Sequence, residues 1–367
     1  MHLPTIVTGL AGLASIAAAH PGHDIRAEAE ERAEFLKRAP PHARSLSHCT
    51  SSLNERGLEK ANVMRRHHAV QKLRQDRGIE PHAPLLKPRD GLNEDHHSSM
   101  DVNPSTDPSV IFASDSICIL GPDTTEGPYY VTGELIRSDI TEDQQGVPLY
   151  LDMQMINPRT CEPVPDIYLD FWQCNSTGVY SGVVAFGNGN PADQSNMDNT
   201  FLRGLQKTDE IGVTQIKTLF PGHYHGRTTH IHVLAHTINE TETNANSTLE
   251  GYHKAHASHI GQLFFDQHLI NDVETNYPYT TNTQRLLKNS KDIILQQEAR
   301  TIDPFIEYVY LGDSPADGIF GWISMGMDVS QDTVVEPAAF YTENGGVENE
   351  NGGWGGPEGG WPGSPPS

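Results

Sequence analysis

His230-Ile231-His232 is the segment of this sequence that most directly invites chemistry. The run to Ala235 reads as a strand, and residues i and i+2 of a strand point to the same face. Two imidazoles would then project together, which is how a sheet offers paired metal ligands. Alone the pair says little, because a chain with 19 histidines makes incidental core or surface pairs easily. The neighbours change that weighing. Just upstream runs Phe220-Pro-Gly-His-Tyr-His-Gly-Arg-Thr-Thr-His230, with Tyr224 in a Pro/Gly turn and Arg227 just before the first histidine. Further upstream, Trp172-Gln-Cys-Asn-Ser-Thr-Gly-Val-Tyr180 puts another tyrosine at a turn after an apolar run. Two phenolates and two neutral imidazoles form a hard-leaning N/O donor set with two negative charges, which suits a trivalent ion. Phenolate is a strong donor to Fe(III), and ferric iron would keep both tyrosines ionised at neutral pH, where free Tyr titrates near ~10. Zinc usually takes His, Cys or carboxylate instead.

The elements around these residues are mostly strands. Tyr150 to Ile156 alternates with period two, and Ile167 to Trp172 is denser, as in a buried strand. Val213 to Leu219, Ile231 to Ala235, Tyr308 to Leu311 and Ile319 to Ile323 follow, with Pro or Gly between them. Many short strands with such punctuation predict a mainly β chain built on an antiparallel β-sandwich. Leu286 to Glu298 reads as a helix. Before the sandwich, residues 20–105 form an N-terminal helical and linker segment. Ala27 to Lys37 is rich in helix formers, and Leu53, Leu58, Ala61, Met64, Val70 and Leu73 recur at helical spacing. That segment reads either as a helix docked on the main domain or as a pro-segment removable at Lys37-Arg38. The domain spans 106–330, and 331–367 is a Gly/Pro-rich tail expected to be disordered.

Composition narrows the function classes. The chain has 367 residues, 48 acidic against 25 basic, for a formal net charge of −23. Such a chain repels phosphate backbones, so nucleic acid is not an expected partner. No apolar run reaches the ~18 residues needed to span a bilayer, so neither is a membrane. Residues 1–19 read as a secretory signal, with an apolar stretch from Ile6 ending in Ala17-Ala18-Ala19. Sequons at Asn175, Asn239 and Asn246 fit a secreted glycoprotein. Cys49, Cys118, Cys161 and Cys174 then allow disulfides, with the pairing open. Dimerisation through the 20–100 helices also stays open.

At this point the sequence resembles the intradiol ring-cleavage dioxygenases, and most nearly their secreted fungal-type branch. The ordered match runs through Glu126-Gly-Pro-Tyr-Tyr130, Gly178-Val-Tyr180, Arg203-Gly204 and Lys217-Thr-Leu-Phe-Pro-Gly222. It continues through Arg227-Thr-Thr-His-Ile-His232 to Gly261-Gln-Leu-Phe-Phe265. The resemblance implies non-haem Fe(III) held by Tyr180, Tyr224, His230 and His232. It implies cleavage of a small aromatic diol by O2 between its hydroxylated carbons, giving a cis,cis-muconate-type product. It makes Tyr224 the phenolate displaced by substrate and able to accept its proton, with Tyr180 staying bound. Arg227 becomes the arginine facing substrate, and Gln262 a glutamine behind the ligands. Two departures stand out: only six residues separate Tyr224 from His230, and a long stretch carrying two sequons, expected as an exposed insertion, separates His232 from Gln262.

Blander readings compete at several positions. Tyr129 and Tyr130 line the pocket or simply pack the core. His223 and His225 are expected in solvent, and Trp172 in the core. A catalytically silent sandwich that binds phenolics or carbohydrate is the main alternative function. A copper or zinc hydrolase using the histidine pair lacks a recognisable carboxylate spacing such as His-Glu-x-x-His.

Overall fold

Strand β3 (Pro148–Asn157) turns Leu149, Leu151, Met153 and Met155 into one core and Asp152 and Gln154 to the opposite face. That two-sided pattern is the plan of the whole molecule. The computed structural model describes residues 46–80, 106–112, 117–119, 127–185, 187–239, 242–249, 255–299 and 302–350. The expected signal at 1–19, the helix expected at Ala27 to Lys37 and the Lys37-Arg38 pair lie outside the described residues.

One sheet has six strands. Strand β11 (Ile319–Gly326) lies between β3 and β1 (Ile117–Ile119), parallel to both. β10 (Glu307–Tyr310) pairs antiparallel with β11. β4 (Glu162–Pro163) and β7 (Val213–Leu219) pair antiparallel with β3. The second sheet is antiparallel throughout, in the order β12 (Thr333–Val335), β9 (Ala255–Phe264), β8 (His230–His236), β5 (Tyr168–Trp172), β6 (Arg203–Lys207). Leu169, Phe171, Ile231, Val233 and Ala235 of this sheet meet the β3 core residues between the layers. The expected sandwich is therefore present, with parallel pairs in one layer. Parallel neighbours need a long crossover, and the excursion between β3 and β11 provides it.

The opposite face of the first sheet carries the N-terminal segment. Helix α1 (Thr50–Glu55) leads into helix α2 (Leu58–Asp76), whose Val63 and Val70 pack with Phe112 of helix α3 (Pro108–Phe112), Phe320 and Trp322. Arg65 donates to both oxygens of buried Asp152 at 2.8 and 2.6 Å, and Arg66 reaches the same carboxylate at 3.2 Å. Gln215 adds a fourth donor, and Asn62 bonds Gln154. Cys49 and Cys161 form a disulfide that ties this segment to the sandwich, while Cys174 is a buried free thiol. The side chain of Cys118 lies outside the described residues.

Three expectations need correction. Order does not stop at 330, because β12 pairs with β9, β13 (Ala339–Thr342) pairs with β2 (Val131–Thr132), and β14 (Gly345–Glu348) closes a hairpin. Val335 and Ala339 are buried apolar anchors within a stretch whose bulk composition reads as a tail; residues 351–367 lie outside the described residues. The stretch between β8 and β9 is also more than an exposed insertion. Ile136 N–H bonds Ser247 O at 2.7 Å, and Leu249 packs with Tyr168 and Leu205. The 286–298 helix is shorter than expected, confined to a 3-10 turn at Asn289–Lys291 and α5 (Ile293–Glu298).

Candidate metal centre

Along β8, Ile231, Val233 and Ala235 enter the core between the sheets, so His230, His232, Leu234 and His236 take the other face. All seven residues of the strand are buried, because loops cover that outer face. The two imidazoles meet there with their Nε2 atoms 3.1 Å apart. His230 Nδ1 donates to Thr228 O at 2.6 Å, which leaves the lone pair on Nε2. Burial, joined by the charge of Arg227, pushes the His230 pKa down to about 3, so this ring is neutral at working pH. His232 is stacked on Trp172, with centroids 4.9 Å apart and planes at 10°. On its other side, a Cβ at Gly127 would sit 3.0 Å from His232 Cε1, and Gly127 has φ +76°. Only glycine allows that close approach without strain.

The tyrosines arrive from loops. Tyr224 Oη stands 3.5 Å from His230 Nε2. The Tyr180 ring lies 5.3 Å from that of Tyr224 and 6.1 Å from that of His232. Gly178, at φ +83°, lets the two loops touch, since any Cβ there would collide with the His223 carbonyl. Tyr180 is fixed through its own peptide groups. Its N–H donates to Asn188 Oδ1 at 2.7 Å, and its carbonyl accepts from Asn188 Nδ2 at 2.8 Å and Asn196 Nδ2 at 2.7 Å. Buried Arg203 donates to the next carbonyl, Ser181 O, at 2.9 and 2.7 Å.

Without an ion the Tyr180 phenol stays protonated. Burial, with Tyr224 and Cys174 nearby, raises the Tyr180 pKa well above its ordinary value. The Tyr180 hydroxyl is buried and meets no hydrogen-bond partner among the described residues. The His230 Nε2 lone pair faces His232 Nε2 at 3.1 Å, and the Tyr180 phenol beside them is buried without a partner among the described residues, donor atoms that an ion between them would satisfy. Tyr180, Tyr224, His230 and His232 therefore fit a hard trivalent ion of the kind the donor types imply.

Arg227 is fully buried beside this cluster. Its Nε donates to Asp292 Oδ2 at 2.8 Å, and its Nη2 to Gln262 Oε1 at 2.6 Å. Gln262 lies directly across from His232 in the β8–β9 register, which places it despite the long stretch before it. Asp292 also accepts from Thr228 N–H at 2.9 Å and caps α5 through Leu295 N–H at 3.0 Å. Burial alone would raise this carboxyl; Arg227 and these amides hold it below its ordinary range.

The structure thus brings all six sequence-picked residues into one buried cluster. It also shows partners the sequence did not reveal: Asp292, Asn188 and Asn196. Their loops carry no periodic signal that would have found them. His223 departs from the expectation of solvent exposure. It is buried, bonded to Glu274 at 2.7 Å and to Gln284 O at 3.0 Å, because the Tyr224 loop folds inward over helix α4 (Gln267–Glu274). His225 is exposed as expected. Trp172 is buried, but against His232 rather than between the sheets.

Comparison with known proteins bears on the family. Residues 121–298 match the family model described as Dioxygenase. An intradiol ring-cleavage dioxygenase from Tetranychus urticae is 30% identical, with 58% of this chain and 96% of that one covered and a TM-score of 0.45. A dioxygenase domain from a carbohydrate-binding fusion of Streptomyces sp. SirexAA-E is 25% identical over 57% of this chain and 97% of its own, with a TM-score of 0.33. A hydroxyquinol 1,2-dioxygenase from Pseudomonas putida DLL-E4 is 16% identical over 57% of this chain and 67% of its own, with a TM-score of 0.34. No curated protein matches the chain. The family model and the identity to the Tetranychus protein carry the assignment, not the superposition scores.

Proposed function

Because the chain belongs to the intradiol ring-cleavage dioxygenase family, we propose that it is a secreted Fe(III) enzyme that opens a catechol ring between its hydroxylated carbons with O2. The product is a cis,cis-muconate-type diacid. The observation that carries this reading is the convergence of Tyr180, Tyr224, His230 and His232 in one buried cluster.

These four residues hold the ion. Bound there, non-haem Fe(III) supplies Lewis-acid activation of the catechol toward O2. The Nδ1–H bond of His230 to Thr228 O fixes the tautomer that keeps Nε2 facing the ion. Tyr224 takes a proton from a substrate hydroxyl, while the asparagine bonds to Tyr180 keep that side chain in place. Arg227 places a fixed positive charge beside the reacting ring, pre-oriented by Asp292 and Gln262. Such a donor acts on charge that develops during the reaction and needs no reorganisation. The covering loops and the 127–131 turn exclude water from the cluster.

A silent binding module would have no need of His230 and His232 facing each other under tyrosine cover. Oxygen uptake by the iron-loaded chain with catechol, hydroxyquinol, protocatechuate and caffeate, together with product spectra, tests the proposal. Uptake with a muconate-type spectrum is expected for at least one of them; binding without uptake for all four would favour the silent module.

A further inference from the structure

The three sequons, Asn175-Ser-Thr177, Asn239-Glu-Thr241 and Asn246-Ser-Thr248, stand outside the chemistry proposed for the metal centre. The fold puts them in two different situations. Asn175 is half-buried and opens the turn that leads to Tyr180. Its Oδ1 accepts from Thr177 N–H at 3.1 Å, Thr177 Oγ1 at 2.9 Å and Val179 N–H at 3.0 Å. Its Nδ2 donates to Gln144 Oε1 at 3.0 Å. Neighbouring chain closes on this turn. Ser176 is buried and donates to Gln145 O at 3.1 Å, and a Cβ at Gly222 would collide with Asn175 O.

Asn246 stands at the other extreme. Backbone bridges step outward from β6: Leu205 to Ile136, Leu135 to Thr248, and Leu249 to Thr243. The Asn246 turn therefore lies at the far edge of that sheet. Its backbone is held by Asn244 N–H to Thr248 O at 2.8 Å and Ile136 N–H to Ser247 O at 2.7 Å. The Asn246 side chain is exposed. Its Oδ1 accepts from Thr248 Oγ1 at 2.8 Å, and its Nδ2 makes no hydrogen bond among the described residues. Asn239, just past β8, is exposed as well. The hydroxyl-to-amide contact inside the sequon is the same for Asn175 and Asn246, so it does not separate them. The amide nitrogen does: it is engaged and enclosed at Asn175 and open at Asn246. A glycan is bulky and hydrophilic, so a folded chain accommodates it only where that nitrogen faces water.

We propose that Asn239 and Asn246 carry N-linked glycans and that Asn175 stays unmodified, its sequon serving as the turn before Tyr180. This rests on the reading of the chain as secreted. The donor is a lipid-linked oligosaccharide pyrophosphate, presented by the host's glycosyltransferase. Nδ2 bonds to C1 of the first sugar, the C1–O bond to pyrophosphate breaks, the lipid pyrophosphate leaves, and Nδ2 gives one proton to a base of the transferase. No electrons change hands. A glycan on Asn175 would keep the Tyr180 turn from closing, so the folded, secreted chain lacks it.

The test expresses the full chain, with its own N-terminus, in a eukaryotic secretory host. Protein from the medium is treated with peptide:N-glycosidase in heavy-oxygen water, and the three sequon peptides are read by mass spectrometry. Heavy-oxygen aspartate, the mark of a released glycan, is expected at 239 and 246 and not at 175. Asn246→Gln should lose the mass of one glycan and keep the iron content and visible band of the wild type. A glycan at Asn175, or an unmodified Asn239 or Asn246, in the secreted chain would overturn this inference and leave the secreted reading standing. A chain that never reaches the medium sinks both.

Discussion

The two kinds of candidate ligand are held by opposite means. His230 and His232 stand on a central strand flanked by β5 and β9, so backbone pairing sets their positions. Tyr180 stands on a loop, and side chains distant in sequence replace the missing ladder: Asn188, Asn196 and Arg203. Strand spacing is a local property, while loop placement is bought by long-range polar bonds. The two halves of the site should therefore fail differently when they are disturbed.

The largest effect is expected on the strand side. His232→Ala removes a nitrogen donor but leaves the β8 ladder intact. The variant should fold, as read by circular dichroism, yet hold no stoichiometric iron and show no turnover. Retained iron with normal turnover would remove His232 from the site.

Arg227 comes next. Loss of one pre-oriented charge of this kind typically costs about 10²–10³ in rate. Arg227→Ala also strands the buried Asp292 carboxylate, so stability should fall by roughly 3–5 kcal/mol. Turnover counted per bound iron separates the two consequences. Normal turnover per iron in a destabilised variant would mean that Arg227 only pins its loop to α5. Arg227→Lys should recover little, because a lysine cannot reproduce the two-pronged contact to Asp292 and Gln262.

On the loop side the effect should be graded. Asn188→Ala deletes the bonds to Tyr180 N–H, Tyr180 O and Val183 O without touching a donor atom. Iron affinity should weaken about 10–100-fold, as for other residues that orient a ligand. An unchanged iron affinity in competition with a chelator would show that Tyr180 needs no such support.

The smallest effect concerns His223, which ties the Tyr224 loop to α4. Burial lowers its pKa, but Glu274 and the Gln284 carbonyl outweigh burial, and the net shift is upward. A raised histidine adds stability that is complete below the ordinary value near ~6.5 and lost as pH climbs through the folded value. His223→Gln should flatten the fall of stability above that pH, as read by denaturant unfolding at several pH values. An identical pH dependence in both proteins would contradict the pairing.

The same contrast explains what was legible in the sequence. Strands β3, β5, β7, β8, β10 and β11 show their apolar periodicity openly, and the His-x-His spacing follows from it. Strand β9 hides, because His256, Ser258, His259 and Gln262 break its apolar alternation. The parallel pairing of β11 has no local signature, since register across an excursion of more than 150 residues is fixed only when both layers pack. The disulfide partner of Cys49 was open for the same reason, while the order past 330 was masked by Gly, Pro and Asn around a few buried residues such as Val335. The ligands were readable through motif order; Asp292 and the asparagines were not, because only the folded chain brings them near.

Metal analysis of the purified full chain, with its visible spectrum, tests the central claim most directly. One iron per chain is expected, with a broad visible band from phenolate-to-Fe(III) charge transfer that disappears when Tyr180 and Tyr224 are both changed to Phe. Stoichiometric zinc with no visible band would contradict the account.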